Sequence, residues 1–394
     1  MIEFKPVADL MGPWGHWSVG DKIFYVKREA LEYASSIPGA PVVYKYFNSV
    51  WENFDRKKLG KMALNELYRM RAQQIRDRYD WVTLNYSGGS DSHNILVSFL
   101  KNNIKLDLVY VNWPMKTVNN KKVYTANTQD RSASNILSEW DYAIEPTLKW
   151  LAANRPEVQV EIGDWSENLD EKQYNEDNFL AASTYWGAGS LFRNLNESKI
   201  TRQKVDQGLR VADVFGFDKP HLYLHPDDVT VSMFFHDAAF QTATNATGTF
   251  EPFYWSPDFP ELAFEMAYSN FQYYNAHPEE RKYIRSSPMR VSREVTNEFN
   301  NDLCRKLCYT DSWNLNTFQA GKPYAGTRTD RDFWIYELED FRRLVDAWRY
   351  NHSGFLSKIA PKFFDEKGGL HPIRSQLFYL GKFNAAHNES VILI

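Results

Sequence analysis

The fold is decided by residues 81–100, whose sequence is WVTLNYSGGSDSHNILVSFL. Residues 81–86 are mostly apolar and β-prone, which predicts a short buried strand. A turn of serine and glycine follows, and the apolar residues at 95–100 then predict a helix. A strand, a glycine-rich turn and a helix in this order are typical of an α/β protein with a mostly parallel sheet.

The turn at 87–92, SGGSDS, has the composition of a phosphate-binding loop. Free N–H groups and the positive end of the helix dipole attract anions at a helix start, and glycine lets the main chain approach a phosphate closely. The predicted phosphate-binding residues are Ser87, Gly88, Gly89, Ser90 and Ser92. Asp91 supplies a carboxylate for Mg²⁺ that a nucleotide brings with it. The spacing is neither G-x-x-x-x-G-K-[ST] nor G-x-G-x-x-G, and the alternative interpretation is a simple helix-capping turn.

Strand and helix patterns alternate beyond this turn. Strands are expected at 106–111, 158–162 and 221–224, and helices at 134–153, 174–195 and 204–215. This alternation predicts right-handed crossovers between parallel strands. The predicted fold class is therefore α/β, with a Rossmann-like parallel sheet of about five strands flanked by helices.

Two further regions flank the predicted sheet. The N-terminal α+β segment is expected to hold a hairpin at 17–26, a helix at 27–35, a strand at 41–47 and an amphipathic helix at 64–79. The C-terminal region is expected to be mainly helical, with helices at 260–275 and 331–351. The predicted domains are thus 1–80, 81–256 and 257–394.

Composition excludes several classes of protein. The 394 residues carry 46 Lys and Arg against 50 Asp and Glu, a net charge of −4, so a nucleic-acid partner is not indicated. The arginines at 69–78 could contact phosphates, and the alternative is that they form a solvated helix face. No apolar run approaches the ~20 residues of a membrane span, and the first residues do not form a secretory leader. With only two cysteines, we expect a cytoplasmic protein that has no membrane partner.

The loop SGGSDS resembles the S-G-G-x-D-S motif of the PP-loop ATP pyrophosphatases. These include the synthetase domain of asparagine synthetase, GMP synthetase, NAD synthetase, tRNA-thiolation enzymes and phosphosulfate reductases. The likeness is strong over residues 80–113 and architectural out to residue 230. The chain is also similar to phage-encoded PP-loop proteins labelled asparagine-synthase-like, on Tyr79-Asp80, GFDKP at 216–220 and FYWSPD at 253–258.

The resemblance implies an adenine nucleotide alpha hydrolase-like fold and an enzyme that binds ATP and Mg²⁺. Such enzymes transfer AMP to a carboxylate or carbonyl oxygen of a small-molecule substrate, release pyrophosphate, and let an amine or ammonia displace AMP. The implied activity is that of an AMP-forming, C–N bond-forming ligase, acting in the host cytoplasm if the chain is phage-encoded. The resemblance also implies that adenine lies beside the first two strand ends, at Leu84, Asn85, Tyr110, Val111 and Asn112.

The segment GFDKP at 216–220 adds a second candidate. Lys219 can neutralise charge that develops as pyrophosphate departs, and Asp218 can orient that lysine or hold Mg²⁺. The candidate catalytic residues are therefore Asp91 and Lys219, and Asp91 is the candidate metal ligand. A solvated turn is the alternative, and Lys219 precedes the expected strand at 221–224, whereas ligands bind beyond carboxyl strand ends.

Four weaker candidates are a histidine pair, a cysteine pair, an aromatic run and a lysine: His225 and His236, Cys304 and Cys308, residues 253–255, and Lys322. The histidines match no zinc spacing, and the cysteines are interpreted as buried side chains rather than as sulfur carriers. The aromatic run either closes over an acceptor substrate or belongs to the core. Lys322 is a candidate for binding a phosphate or carboxylate group of the substrate.

The chain departs from glutamine-dependent asparagine synthetases at its start, where Ile2 follows Met1 in place of a nucleophilic cysteine. We therefore expect no glutamine cleavage by this chain, and ammonia or another amine must arrive otherwise. The open alternatives are a phosphosulfate-reductase-like or base-modifying enzyme, and a non-catalytic nucleotide-binding protein. The sequence indicates neither the acceptor substrate nor the oligomeric state.

Overall fold

Five parallel strands form the central sheet of the computed structural model. The structure describes residues 15–113, 115, 140–164, 197–216, 220–237, 247–285, 303, 307–309, 357–363 and 372–384. The strands are β1 His16–Val19, β2 Lys22–Phe24, β3 Val43–Lys45, β4 Trp81–Asn85, β5 Leu108–Trp113, β6 Gln159–Asp164, β7 Val211–Phe215, β8 His221–Leu224, β9 Thr230–Phe234, β10 Thr249–Pro252 and β11 Phe378–Lys382. The helices are α1 Lys27–Ser35, α2 Asn48–Glu52, α3 Leu64–Arg78, α4 Ser90–Leu100, α5 Glu145–Asn154, α6 Lys199–Asp206, α7 Pro260–Ala276 and α8 Lys282–Arg285.

The strand order of the parallel sheet is β10-β7-β4-β5-β6. The chain runs outward from β4 through β5 to β6, then returns to β7 on the other side of β4 and continues to β10. The direction of progression therefore reverses at β4. In open α/β sheets, a crevice forms beyond the carboxyl ends of the strands at this switch point, and ligands bind in it.

The two faces of the sheet are covered differently. Val82 and Leu84 lie in the main hydrophobic core, which also includes residues of α3, α4 and α7. Because side chains alternate along a strand, Trp81 points to the opposite face, where it joins Leu108, Tyr110 and Val211 in a smaller cluster against α6. The larger core thus lies on the face that carries α4, the helix that begins after the serine–glycine turn.

Two small antiparallel sheets accompany the parallel one. Their orders are β2-β1-β3 and β11-β9-β8. They are joined where the Tyr44 N–H donates to the Arg374 carbonyl, at 3.1 Å. Between them lies a fully buried ion pair, Lys27 Nζ to Asp237 Oδ2 at 2.9 Å, whose carboxylate also accepts from the Trp17 indole and the Ile373 N–H. None of the described helices is both long and apolar enough to cross a membrane.

Most local predictions are confirmed. The α/β class with a five-stranded parallel sheet is as expected, α1 covers the expected 27–35, and α3 and α7 lie where helices were expected at 64–79 and 260–275. The predicted strands at 106–111 and 158–162 are each shifted by one or two residues. The helices expected at 174–195 and 331–351 lie outside the described residues, and the domain boundaries stay predictions.

The helix expected at 204–215 is wrong. Helix α6 ends at Asp206, and residues 211–215 form the central strand β7. Gly208 has φ 79°, its N–H donates to the Val205 carbonyl, and the Leu209 N–H donates to the Lys204 carbonyl. This glycine-based pair of hydrogen bonds stops the helix and turns the chain into the strand.

Three further differences concern strands. The strand at 221–224 exists as β8 but belongs to an antiparallel sheet rather than to the parallel one. Strand β10 was not predicted, although it completes one edge of the parallel sheet. In the region expected to be mainly helical, β11 pairs with β9. Both unexpected strands are short, so their periodicity is weak and tertiary pairing decides them.

Candidate functional site

The serine–glycine turn leaves the carboxyl end of β4 and enters the first turn of α4. Gly89 is the N-cap residue, in an extended conformation, and it offers no side-chain acceptor to the helix. The first N–H groups of a helix have no acceptor within the helix itself. Because Gly89 has no side chain, it supplies no cap to these donors, which lie at the positive end of the helix dipole.

Two serine hydroxyls hold the turn in shape. The Ser92 hydroxyl donates to the Gly89 carbonyl at 3.1 Å and accepts from the Ser87 N–H at 3.2 Å. The Ser87 hydroxyl accepts from the Gly89 N–H at 3.3 Å. Ser92 is buried, Ser87 is exposed and Ser90 is half-buried. Thus Ser92, predicted to bind phosphate, chiefly orders the loop, and Ser87 and Ser90 lie nearer to solvent.

Two glycines permit close approach of the backbone. Gly88 has φ 76°, and a Cβ there would lie 2.7 Å from Ile144 Cγ1. Gly216, the first residue after β7, would place a Cβ 3.0 Å from the Ser92 nitrogen and 3.1 Å from the Asp91 carbonyl carbon. The end of β7 therefore packs directly on the first turn of α4, so the ends of β4 and β7 meet at the switch point.

Asp91 lies in the first turn of α4, where a negative charge is stabilised by the helix dipole. Its Oδ1 accepts a hydrogen bond from the Tyr309 hydroxyl at 2.5 Å, and its backbone carbonyl accepts from the Tyr254 hydroxyl at 2.8 Å. Neither tyrosine was expected from the sequence to reach this residue. Tyr254 follows β10 in the aromatic run, and Tyr309 lies in the C-terminal region.

The aromatic run itself is part of the core. Phe253, Tyr254 and Trp255 are almost completely buried. The Arg71 guanidinium fixes the start of the run by donating to the Phe253 carbonyl at 3.3 Å, while it pairs with Glu251 at 2.6 Å. The structure therefore favours the core interpretation of this run over the substrate-closing one.

A histidine anchors the other side of α4. His93 Nδ1 lies 3.1 Å from the Tyr86 hydroxyl, which is also 3.1 Å from the Thr147 hydroxyl. Burial lowers the pKa of His93 to about 3, so the ring is neutral at physiological pH. His93 thus fixes the helix without adding charge beside the loop.

The five residues expected near adenine divide between the two faces. Leu84 and Val111 are completely buried in the main core. Asn85, Tyr110 and Asn112 alternate with them and so belong to the opposite face. The structure brings Asn85 and Asn112 to neighbouring carboxyl strand ends, where both are half-buried.

A buried carboxyl lies on this opposite face. Asp213, on β7 opposite Thr83, accepts from the Gly248 N–H at 2.7 Å. Burial raises the pKa of Asp213 to about 6. Burial, reinforced by Glu161 and Asp213, also raises the pKa of Tyr110. The sequence pattern did not single out Asp213, because the segment was interpreted as a helix.

Lys219, Asp218, Cys304 and Lys322 lie outside the described residues. Gly216, however, follows β7 at the carboxyl edge of the sheet. The first residue of the GFDKP segment therefore lies directly after the carboxyl end of a parallel strand.

The arginines at 69–78 pair with carboxylates. The partners are Glu66 for Arg69, Glu251 for Arg71, Asp107 for Arg76, and Asp258 for Arg78. Arg71 is fully buried. Phosphate contact by this stretch would require breaking these pairs, so the structure favours a helix face whose charges are already neutralised.

The remaining weak candidates have structural partners. His225 Nε2 lies 2.9 Å from the Ser232 hydroxyl, and the Cys308 thiol is buried, 3.7 Å from the Met266 carbonyl oxygen. Within the described part of the chain, no three His, Cys, Asp or Glu side chains cluster in a way that could hold a metal ion. A cation at the loop would thus need ligands from a bound phosphate as well as from Asp91.

No protein-family model, curated protein or solved structure matches this chain. Its chemistry must therefore be inferred from its own geometry. That geometry offers a helix start whose N-cap residue is a glycine, and one oriented carboxylate, at the switch point of a parallel sheet.

Proposed function

We propose that this protein binds ATP with Mg²⁺ at residues 87–92 and is an AMP-forming enzyme of the PP-loop type. The observation that carries the proposal is the position of the loop. The SGGSDS turn lies at the carboxyl end of β4, the strand at which the sheet order reverses. An anionic ligand is favoured there by both the sheet topology and the helix dipole.

Different residues of the loop would have different roles in binding ATP and Mg²⁺. The backbone of 88–90 would contact the pyrophosphate portion of ATP, because Gly88, with φ 76°, turns the chain there and Gly89 adds no side chain of its own. Ser87 and Ser92 would keep the turn in that shape through their hydrogen bonds. Asp91 would ligate Mg²⁺ together with phosphate oxygens, since Mg²⁺ commonly uses one or two carboxylates plus substrate phosphates.

The proposed reaction is adenylation followed by amide formation. A carboxylate or carbonyl oxygen of a small-molecule substrate attacks the α-phosphorus, and the bond from that phosphorus to the β-phosphate bridging oxygen breaks. Pyrophosphate leaves, and an amine or ammonia then displaces AMP from the activated carbon. The chain's own contribution is electrostatic: fixed N–H groups and a held cation stabilise charge on the departing pyrophosphate. Lys219 stays a sequence-based candidate for the same task.

Three features favour a nucleotide site of the PP-loop type over a generic anion-binding site. The loop keeps serine at 87, 90 and 92 and aspartate at 91, and it follows a buried parallel strand. Asn85 and Asn112 provide amide groups at the adjoining strand ends, where the adenine is proposed to lie. The proposed fold family is accordingly the adenine nucleotide alpha hydrolase-like one.

The decisive experiment is a product assay. Purified protein is incubated with α-labelled ATP, Mg²⁺ and panels of carboxylic acids and amines, and AMP is separated from ADP. AMP with equimolar pyrophosphate is expected. ADP with phosphate would contradict the proposal, and ATP binding without turnover on any panel would favour the non-catalytic alternative.

Asp91→Asn is the matching variant. It removes the charge that would hold Mg²⁺ but keeps the size of the side chain and an oxygen that can accept from the Tyr309 hydroxyl. We expect AMP formation to fall by roughly 10²–10³ with little change in fold. The control is Glu261→Gln, which neutralises an acid in the first turn of another helix, α7, and should leave turnover unchanged.

A further inference from the structure

The residue proposed to hold Mg²⁺ is contacted by two tyrosines from distant parts of the chain. The Tyr309 hydroxyl donates to Asp91 Oδ1 at 2.5 Å, and the Tyr254 hydroxyl donates to the Asp91 carbonyl at 2.8 Å. The two rings lie 6.1 Å apart, between centroids. One tyrosine therefore binds the carboxylate, and the other binds the backbone of the same residue.

A third tyrosine, Tyr68, packs against this pair. The Tyr68 hydroxyl, from α3, donates to the Cys308 carbonyl at 3.0 Å, and the Tyr68 ring lies 6.4 Å from that of Tyr309. Tyr254 additionally accepts from the Asn94 side-chain amide at 3.2 Å. All three tyrosines are buried. Hydrogen bonds in such dry surroundings are strong, and their donors have little freedom to choose other partners.

The chemistry of the donor is suited to a cation site. A hydroxyl orients a carboxylate without neutralising it, whereas a lysine or arginine at the same place would cancel the charge that attracts a cation. A carboxylate has about four acceptor positions, and the Tyr309 hydroxyl uses one of them. Carboxylates that ligate metals are commonly oriented by such an outer hydrogen bond.

We propose that Tyr309 is a positioning residue that orients the Asp91 carboxylate for the divalent cation. The proposal rests on the proposed function, because it assumes that Asp91 ligates a cation brought by ATP. In this role Tyr309 acts through Asp91 and is not itself a ligand of the cation. Its effect is to fix the plane of the carboxylate, so that the ligand is preorganised before the nucleotide arrives.

The test measures cation binding rather than turnover. Mn²⁺ replaces Mg²⁺, and free Mn²⁺ is followed by electron paramagnetic resonance during titration of the full chain in the presence of ATP. Loss of an outer-sphere partner typically weakens metal affinity by about 10–100-fold, and we expect a loss in that range for Tyr309→Phe. Asp91→Asn should lose at least as much, and the double variant no more than Asp91→Asn alone, because the two groups act through one contact.

The matched control is Tyr68→Phe. It removes a buried hydroxyl from the same aromatic cluster, one that donates to the Cys308 carbonyl next to Tyr309. It should lower the thermal midpoint about as much as Tyr309→Phe while leaving Mn²⁺ affinity unchanged. Equal losses of affinity in the two variants would show a merely structural role and overturn the proposal.

The remaining outcomes separate this proposal from the function it rests on. If the wild-type protein with ATP takes up no more Mn²⁺ than ATP alone, both are wrong. If Asp91→Asn weakens Mn²⁺ binding and Tyr309→Phe does not, only the positioning role is wrong. Should Tyr309→Phe fail to fold, Tyr309→His provides the second test, because histidine keeps a ring with a hydrogen-bond donor. Tyr309→His is expected to bind Mn²⁺ more tightly than Asp91→Asn does. A Mn²⁺ affinity as low as that of Asp91→Asn would overturn the positioning role.

Discussion

Replacing Gly88 by alanine should both destabilise the protein and weaken the proposed binding of ATP. Gly88 has φ 76°, a conformation that costs an L residue roughly 1–2 kcal/mol. The new Cβ would also lie 2.7 Å from Ile144 Cγ1 and 3.3 Å from its Cδ1. Overpacking of a filled site costs roughly 1–3 kcal/mol. We therefore expect the free energy of unfolding to fall by roughly 2–5 kcal/mol.

Gly208→Ala separates the two parts of that cost. Gly208 has nearly the same backbone conformation, φ 79°, but a Cβ there would meet nothing within 4 Å. The change in unfolded-chain entropy is the same for both glycines, so it cancels in the comparison. The control should lose only the roughly 1–2 kcal/mol of the backbone term. Combining Gly88→Ala with Ile144→Ala removes both clashing atoms, and the double variant should be more stable than the sum of the single losses.

The stability differences are read from urea unfolding followed by tryptophan fluorescence, and ATP affinity from isothermal titration calorimetry. Gly88→Ala should bind ATP about tenfold more weakly, equivalent to ~1.4 kcal/mol, because the displaced loop presents its N–H groups less well. Gly208→Ala should bind ATP as the wild type does. Equal stability losses in the two variants, or wild-type ATP affinity in Gly88→Ala, would refute the close-approach argument.

Three further predictions concern charge. Because burial raises the pKa of Asp213 from 3.8 to about 6, the wild-type protein should lose stability as pH rises from about 4 to 6. Asp213→Asn should abolish this pH dependence and raise the free energy of unfolding at pH 7 by up to ~3 kcal/mol. Urea unfolding across this pH range measures both effects. Asp237→Ala takes the carboxylate from the buried Lys27 and should cost ~3–5 kcal/mol, whereas Glu197→Ala, at an exposed pair, should cost less than ~1 kcal/mol in the same assay. Labelled duplex DNA at ~150 mM salt should bind no more tightly than ~1 µM in an anisotropy titration, because the arginines of α3 are already paired; a Kd near ~10 nM would contradict this.

The sequence predicts those helices, strands and turns whose formation depends on residues close together in the chain. The 15-residue helix α3 has a sustained apolar stripe, and α1 and β4 are similarly self-contained, so each was located from periodicity alone. The serine–glycine turn was assigned to the start of a helix for the same reason. These parts of the candidate site are encoded within a single stretch of chain.

The switch point was not predictable in this way. The switch point depends on β7, and the sequence predicts a helix there. The apolar residues at 211–215 come soon after the helical residues at 204–206, and no proline separates the two groups. The usable signal was Gly208, which ends α6 with a left-handed residue. If Gly208 is taken as the end of the helix, Val211–Phe215 can be predicted as a strand, and Gly216 then lies at its carboxyl end.

The contacts to Asp91 show a stricter limit, because they depend on which side chains tertiary packing brings together. Nothing in the sequence around Tyr254 or Tyr309 marks either residue as a partner of the loop. The motif therefore supplies the backbone that would contact a phosphate, while distant segments supply the orientation of its one carboxylate. It follows that substitutions of the glycines and serines within 87–92 should alter nucleotide affinity first, whereas Tyr309→Phe, like Asp91→Asn, should alter cation affinity first and leave the loop backbone in place.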